Sequence, residues 1–496
     1  MASRAPRRIG RQRIGRQRIR RRSIGRRIWA IPQFLLTIPV TLLTVGLLLL
    51  TGLLTGTLFA AVAPDDPAIS DLQFGLPAFR EGRIWTLFTG AVTFSQPVFY
   101  LFVGMLLAAG LGVYERRVGS LRAAVALVVT HTFGIVVPAL VLWPFVGSDW
   151  TWAAQLGGQL DAGLSAGGFG VAAAATALVA PPWRGRLRVL GSTVLAVLVI
   201  RSGLLWDLEH LAGWLTGLAI GPWLGSQVRV ARGHHRPEPT PAAQVRVLTA
   251  LIAAGLAVTN VVESFAPGLG GVVGAGLDPG RVRGGALIVA ELAISLLIAG
   301  ALPQPRALPW WVALIGVSAI CVNSLINTPA FPRLGDAVCA AILLSVLIWN
   351  RRAWPLRTDR SATLPLVVLA CLMAVFATVT AVAMWAAKDE FQPIPGLLDI
   401  VRETLARFTL TIGPLLPTGP TAQRIILLSG VTWAVTLIGW LGWALWLSVP
   451  GRRLQTSAPI DVESTGRATT TTRASSIDDT NSDTNSDTNS EGPDHD

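Results

Sequence analysis

Residues 121–145 read LRAAVALVVTHTFGIVVPALVLWPF, and no charged residue follows Arg122 in this stretch. A helix needs about 20 such residues to cross roughly 30 Å of hydrocarbon. Comparable apolar runs recur along the chain, of whose 496 residues 52% are hydrophobic and only 14% are charged. Since a soluble domain could not bury so many runs of this length, the sequence predicts an all-α, polytopic membrane protein.

Apolar runs separated by charged residues, proline or glycine predict about twelve transmembrane helices. The first six lie near residues 34–62, 97–113, 121–145, 161–180, 187–200 and 208–224. The other six lie near residues 247–265, 284–302, 310–326, 337–349, 363–387 and 425–448. Pro39 is a candidate kink in the first of them. The expected architecture is a six-helix bundle followed by a second six-helix membrane domain.

Changes in composition along the chain predict the domain boundaries. A basic cytoplasmic arm (1–28) precedes the first membrane domain (29–226), and a Pro- and Arg-rich cytoplasmic linker (227–246) separates it from the second (247–450). Residues 451–496 are rich in Ser, Thr, Asn and Asp. Because such a segment is too polar to bury a core, we expect a disordered cytoplasmic tail.

Arginine dominates the net charge of +13, and its distribution predicts the orientation. The arm repeats Ile-Gly-Arg-Gln-Arg without an acidic residue, and no aromatic residue lies between Arg11 and Arg22. We interpret it as a topology determinant and an anchor for membrane lipids of negative charge, not as a nucleic-acid-binding segment. With the arm inside, the other arginine-rich connections are cytoplasmic as well. The protein is therefore expected in the plasma membrane with both termini in the cytoplasm.

Cysteine and histidine do not form a metal-binding pattern. Cys321, Cys339 and Cys371 lie in apolar segments without CxxC spacing, which favours a packing role. His234 and His235 lie in the linker, in a loop rich in proline and arginine. The sequence predicts neither a metal site nor a cofactor.

Two short motifs carry the candidate chemistry. Residues 163–167 read GLSAG at the start of the fourth predicted span, and residues 209–213 read EHLAG at the start of the sixth. Both spans run from outside to inside, so Ser165 and His210 are expected at the same depth near the outer face. A histidine within reach of a serine hydroxyl can act as a general base and activate it for attack on a carbonyl.

Each motif also has a purely structural interpretation. Small residues let transmembrane helices approach closely, so Ser165 by itself is more often a packing residue than a nucleophile. His210, Gly213 and Gly217 lie on one face of the sixth span, and a polar side chain in hydrocarbon usually faces the bundle interior. Three acidic residues could orient the imidazole or simply face outer water: Asp161, Asp207 and Glu209.

Residues 82–224 resemble the six-helix core of the rhomboid intramembrane serine proteases. The resemblance rests on the serine and histidine motifs, on EGRIW at 81–85 and on ERRVG at 115–119. It implies a dyad without an acid, in which Ser165 is the nucleophile and His210 the base. It further implies that an aromatic residue, here Phe169, packs against the histidine, and that a transmembrane protein is the substrate of a serine-type endopeptidase.

The sequence departs from this family around the serine and on the second helix. Ala166 stands where the family usually has glycine. Phe99 and Val103 stand where the family has a histidine and an asparagine that stabilise the oxyanion. Because losing one oxyanion donor costs about 10²–10³ in rate, the pattern is typical of a weak, divergent or inactive relative.

The second membrane domain offers acidic residues instead of a nucleophile. Glu291 lies amid Leu, Ile, Val and Ala in the eighth predicted span, where an ionised carboxylate needs a partner or a cavity. A neutral packing role is equally compatible with the sequence. In residues 397–408 apolar residues recur at helical spacing opposite Asp399, Glu403 and Arg407, which predicts a short amphipathic helix on the outer surface.

Residues 247–450 resemble the membrane domain of actinobacterial lysyl-phosphatidylglycerol synthases. The resemblance rests on the order of segments such as VTNVVE at 258–263, Trp310-Trp311 and LLDIVRET at 397–404. In that family a transferase domain follows, whereas here a polar tail follows, so we do not expect this chain alone to aminoacylate lipid. A separate transferase protein is a candidate partner.

Two functions of different class follow from these patterns. The slightly favoured one is a lipid- or protein-handling membrane module, derived from a rhomboid and linked to aminoacyl-phosphatidylglycerol homeostasis. The alternative is an active rhomboid-type protease that cuts transmembrane substrates with Ser165 and His210.

Overall fold

The computed structural model describes residues 36–63, 66–228, 240–265, 285–327, 334–354, 360–411 and 413–447. These residues belong to one compact unit and are mostly helical. The predictions for the basic arm, for most of the linker and for the polar tail concern residues outside these ranges.

The first half (36–228) is a bundle whose long connections contain short helices. Its main helices are α1 (Pro39–Leu54), α2 (Pro97–Val118, with a π-helical turn at Leu107–Leu111), α3 (Ser120–Leu142), α4 (Ser165–Ala175), α5 (Trp183–Arg201) and α6 (Leu205–Leu224). The helices of the connections are Pro67–Ser70, Leu76–Arg80, Thr86–Thr89 and Thr151–Gly157.

The second half (240–447) continues with helices and one small sheet. Its helices are α7 (Pro241–Phe265), α8 (Gly285–Ala301), α9 (Ala307–Asn327), α10 (Leu334–Trp349), α11 (Arg360–Ala386), α12 (Leu397–Phe408) and α13 (Pro420–Leu447). Strands β1 (Phe391–Gln392) and β2 (Leu416–Pro417) pair antiparallel, with Phe391 opposite Pro417.

Six helices of the described residues are long and apolar enough to cross a membrane; they lie at 97–118, 120–145, 241–259, 307–326, 363–386 and 420–444. Four shorter apolar helices lie at 39–54, 165–178, 287–301 and 334–349. The prediction of a helical membrane protein is therefore confirmed as far as the length and the apolar composition of these helices show it. The number of twelve spans stays a prediction.

Two predicted boundaries differ from the structure because proline begins a helix more readily than it interrupts one. Pro39 is the first residue of α1 and therefore does not kink it. The linker was expected to extend to Arg246, yet α7 begins at Pro241. Thr240 precedes this proline, and its Oγ1 accepts a hydrogen bond from Ala243 N at 3.3 Å, as an N-cap does.

Glu115 fastens α1 to α2. Its buried carboxylate accepts hydrogen bonds from Val40 N and Thr41 N, both at 2.9 Å, and from Thr41 Oγ1 at 2.8 Å. The first amides of a helix have no partner within it, so the carboxylate serves as a cap supplied from another helix.

Helix α4 lies at the centre of the first half, packed between α3 and α6. Gly213 and Gly217 of α6 lie against the backbone of Ala166 and Gly170, so that a Cβ at either glycine would collide with a carbonyl oxygen. These two helices therefore approach at backbone contact.

The two halves meet where α5 packs against α7 and α10. Arg201, the last residue of α5, forms an ion pair with Asp336 of α10, in which Nε and Oδ1 are 2.5 Å apart. Arg201 Nη1 also donates to Thr259 Oγ1 of α7 at 3.4 Å.

Helix α12 has the bounds that its amphipathic pattern predicts, and the structure adds its orientation. Glu403 and Arg407 are buried against the protein and paired at 2.5 Å, and Glu403 also accepts a hydrogen bond from Leu415 N. Leu397, Leu398 and Val401 of the apolar stripe are exposed, whereas Phe408 is half-buried and packs against Phe376 and Trp433. Glu403 and Arg407 thus face the protein, while the apolar residues of the first two turns are free to face lipid.

Candidate active site

A tight loop places Ser165 at the first position of α4. Gly163 has a φ of +119°, and a Cβ there would collide with the ring of Phe94. Its amide donates to Gly90 O at 2.7 Å, which ties this loop to the connection between α1 and α2. Position 163 therefore requires glycine, because both its backbone angle and its surroundings exclude a side chain.

His210 is held by the start of α6. Asp207 accepts hydrogen bonds from Leu204 N at 3.0 Å and from Ser202 Oγ at 2.5 Å, which caps the helix that carries the imidazole. His210 follows within the next turn of that helix. Asp207 is thus a capping residue, and its carboxylate is engaged with Leu204 N and Ser202 Oγ rather than with His210.

The structure brings Ser165 and His210 together. Ser165 Oγ and His210 Nε2 are 2.7 Å apart, and both residues are half-buried. With the imidazole proton on Nδ1, the serine hydroxyl donates to Nε2, which is the arrangement that a general base requires. The ring of Phe169 lies beside the imidazole, with centroids 4.7 Å apart and planes inclined by 44°.

The other nearby acids have partners of their own. Asp161 precedes α4, its backbone pairs with that of Phe74, and its Oδ1 accepts a hydrogen bond from Ala162 N at 2.7 Å. The carboxyl groups of Asp161 and Glu209 lie beside each other. Glu209 itself is buried. In the described structure neither acid hydrogen-bonds to His210, so the serine and histidine form a dyad.

Packing residues occupy the two positions, 99 and 103, at which the resemblance to rhomboid proteases implies oxyanion donors. Phe99 lies against Trp206, with ring centroids 6.0 Å apart, and Val103 is buried in the core of the first half. Donors near Ser165 are the amides of the first turn of α4, since the first amides of a helix have no acceptor within it. Such amides and the helix dipole favour a negative charge.

Ala166 fits because its neighbour is a glycine. Its side chain is buried and faces Gly134 of α3, where an added Cβ would come within 2.9 Å of Ala166 Cβ. The methyl group that distinguishes Ala166 from glycine thus occupies space that Gly134 leaves open, and α4 keeps its place.

Glu291 lies apart from the dyad. It lines a large cavity of the second half, together with Arg201 and Asp336. Within the described ranges, no group of three or more His, Cys, Asp or Glu residues could hold a metal ion. Cys339 is buried and Cys371 is exposed on α11.

Sequence reasoning missed the two long-range contacts of Glu115 and Arg201. Each joins residues far apart in the chain, 74 positions for Glu115 with Thr41 and 135 for Arg201 with Asp336. A charge at the end of an apolar run was the available signal for both. It could have indicated a buried partner, but not which one.

No protein-family model, no curated protein and no solved structure matches this chain. The function is therefore argued from the geometry of the site.

Proposed function

We propose that the chain is an intramembrane serine hydrolase of the rhomboid type that cleaves transmembrane proteins near the outer end of their span. Ser165 is the nucleophile and His210 the general base. The observation that carries this proposal is the 2.7 Å hydrogen bond between Ser165 Oγ and His210 Nε2, which joins residues on two separate helices. A hydroxyl and an imidazole in this geometry form an activated nucleophile.

The reaction follows from the positions of these groups. His210 Nε2 takes the proton of Ser165 Oγ as this oxygen attacks the scissile carbonyl, and the imidazolium then protonates the leaving amine. Water, activated in the same way, hydrolyses the acyl-enzyme. The amides at the start of α4 are the donors for the oxyanion. The ring of Phe169 limits the rotation of the imidazole.

The membrane topology is part of the proposal. Twelve spans, cytoplasmic termini and a plasma-membrane location would place both catalytic groups close to the outer face. The distribution of arginine supports this orientation, because Arg184, Arg186 and Arg188 lie at the start of α5, the end opposite to the dyad.

A non-catalytic module is the second candidate. The packing of Phe99 and Val103 favours it, since neither side chain can donate a hydrogen bond to an oxyanion. If the amides of α4 act alone, the rate would be about 10²–10³ below that of an enzyme with one further donor. We therefore expect a slow enzyme rather than an inactive one.

The nucleophile is tested by labelling the purified full-length protein with a fluorophosphonate probe. The native chain should be labelled, and Ser165→Ala should abolish the labelling. Ser345→Ala is the matched control, because Ser345 is an exposed helical serine of the second half that bonds to Ala341 O. Equal labelling of the native and Ser165→Ala chains, or none in a folded native chain, would refute the proposal.

A further inference from the structure

Two carboxyl groups join the segment that carries Ser165 to the helix that carries His210. Asp161 precedes the serine by four residues, and Glu209 immediately precedes the histidine. The carboxyl groups of Asp161 and Glu209 lie in contact, although the two residues belong to separate elements. The pair is therefore a direct link, made by side chains alone, between the two motifs of the dyad.

Each member of this pair is fixed by its own element. The backbones of Asp161 and Phe74 exchange two hydrogen bonds, one of 2.9 Å from Phe74 N and one of 2.8 Å to Phe74 O. Glu209 belongs to α6 and is only 3% exposed, whereas Asp161 is half-buried. Any repulsion between the two carboxyl groups therefore acts on the loop before Ser165 and on the start of α6.

Two carboxyl groups in contact need a proton between them. A carboxylate only accepts hydrogen bonds, whereas a protonated carboxyl group also donates one. A hydrogen bond between Asp161 and Glu209 therefore requires that one of them be protonated. Two carboxylates at the same place would repel each other, and this repulsion is strong where water is excluded. The link thus attracts with one proton and repels with none.

The titratable groups next to the pair do not compensate for the loss of this proton. Asp207 of α6 adds a further negative charge that acts on Asp161. His131 of α3 lies behind Phe74, with ring centroids 5.6 Å apart, and its Nε2 donates to Leu87 O at 3.0 Å. Its Nδ1 is buried without a partner, so a second ring proton would have no acceptor. His131 therefore brings no positive charge to the pair.

The arginines of the neighbouring elements are engaged elsewhere. These arginines and their partners are Arg80 over the ring of Trp143, Arg83 with Glu81, and Arg201 with Asp336. Among the residues that the structure describes, no arginine or lysine forms an ion pair with Asp161 or Glu209. A proton is therefore the group that can neutralise one of the two carboxylates.

We propose that Asp161 and Glu209 are positioning residues that share one proton and thereby hold the loop of Ser165 against the helix of His210. Loss of this proton to water, which half-buried Asp161 permits, drives the carboxylates apart and separates Ser165 Oγ from His210 Nε2. This inference rests on the proposed function, because the geometry that the pair controls is that of the dyad.

The shared proton predicts a limit on the alkaline side of the pH profile. The imidazole of His210 accepts a proton only in its neutral form, so it limits the rate on the acid side. The proton between Asp161 and Glu209 is lost as the pH rises, so the pair limits the rate at high pH. Buried carboxyl groups keep a proton to about pH 8–9 in other proteins, which places the expected decline above neutral pH.

The experiment measures the rate of fluorophosphonate labelling of the purified full-length chain between about pH 7 and about pH 10. The native rate should fall by about tenfold or more over this range, because a shift of about 1 Å at a catalytic group costs up to about 10²-fold. Glu209→Gln replaces the shared proton by a permanent amide donor. Relative to its own rate at about pH 7, this variant should show no decline.

Two further variants complete the comparison. Asp161→Asn is the reciprocal change, since its amide donates to Glu209 while its Oδ1 still accepts from Ala162 N, and it should also lose the decline. Asp149→Asn is the matched control, because Asp149 is exposed in the connection between α3 and α4, and it should keep the native decline. A native profile without a decline, or the same decline in the native and Glu209→Gln chains, would overturn the proposal.

Thermal unfolding in detergent separates this proposal from the proposed function. A folded native chain that is not labelled at any pH would refute the hydrolase and, with it, the positioning role. The shared proton would then be decided by the unfolding temperature, which should fall more steeply with rising pH in the native chain than in Glu209→Gln. A native unfolding temperature that falls while the labelling rate stays level would show a purely structural pair and overturn the positioning role. The native profile decides the question even where both amide variants fail to fold.

Discussion

Gly213 of α6 lies directly against the carbonyl oxygen of Ala166 of α4, with no space for a Cβ between them. Ala166 follows Ser165 in the chain, and Gly213 lies one turn beyond His210. This backbone contact therefore sets the distance at which the serine and the imidazole meet. A larger residue on either side of the contact would separate the two helices that share the dyad.

Gly213→Ala should disrupt the dyad while the chain stays folded. The added methyl group pushes α6 away from α4, and we expect fluorophosphonate labelling of Ser165 to fall by about tenfold or more. Gly104→Ala is the control, because a Cβ at Gly104 of α2 would meet no atom within 4 Å. Equal labelling of both variants would contradict the role of this contact.

Phe169→Ala should slow the fluorophosphonate labelling of Ser165, because the imidazole of His210 loses the ring beside it. In the native chain the ring centroids of Phe169 and His210 are 4.7 Å apart. Aromatic pairs contribute about 0.5–1.5 kcal/mol, which corresponds to a rate effect of up to about tenfold. Phe169→Tyr keeps the ring and should label at close to the native rate. A Phe169→Ala chain that labels as fast as the Phe169→Tyr chain would exclude a positioning role.

Glu115→Ala should destabilise the protein strongly, since it removes the acceptor of two α1 amides and of the Thr41 hydroxyl. Hydrogen bonds to charged groups contribute about 1.5–3 kcal/mol each. We therefore expect the free energy of unfolding to fall by at least about 3 kcal/mol. Thr41→Val removes only one of the three bonds and should cost about 1.5–3 kcal/mol. Thermal unfolding in detergent measures both, and equal effects would show that Glu115 does not cap α1.

The buried pair of Glu403 and Arg407 should respond differently to single and double replacement. Arg407→Met leaves a buried carboxylate without its partner and should cost about 3–5 kcal/mol of stability, whereas Glu403→Leu with Arg407→Met should recover most of this loss. Asp399 and Arg402 form a partly exposed pair at 3.8 Å, so Arg402→Met should cost less than about 1 kcal/mol. Additive effects of the two replacements in chemical unfolding would contradict the pairing.

Glu390 should make stability depend on pH. It lies between α11 and α13, and its carboxylate accepts hydrogen bonds from Thr421 N at 2.7 Å and Ala422 N at 3.0 Å, at the start of α13. Hydrogen bonds from the Thr421 side chain and from these amides lower its pKa from the usual 4.5. A lowered pKa stabilises the folded state above pH 4.5, and this contribution is lost as the pH falls through the folded pKa.

Glu390→Gln should therefore lower the unfolding temperature at pH 7, and the difference from the native chain should shrink toward pH 3. Asp389→Asn removes the same charge from the neighbouring exposed position and should show no such trend. A difference between the native and Glu390→Gln chains that stays constant with pH would contradict the capping role.

Patterns in the sequence predicted the structural features that depend on residues close together in the chain. The helical spacing of apolar residues in 397–408 gives the bounds of α12, and the glycines around Ser165 and His210 indicated a close helix contact. The pattern could not show that Glu403 and Arg407 face the protein, because this depends on Leu415 and on the neighbouring helices. The cavity of the second half was likewise invisible in the sequence, since its lining comes from eight separate helices, α5 and α7 to α13, and from residues that follow α8 and α12.

The central claim is that Ser165 and His210 act as one unit, and the rate of fluorophosphonate labelling at Ser165 tests it most directly. General-base catalysis contributes about 10²–10⁴ in rate, so His210→Ala should slow the labelling by a factor in this range while the protein remains folded. A folded His210→Ala chain that labels Ser165 at the native rate would show that the imidazole does not activate the hydroxyl.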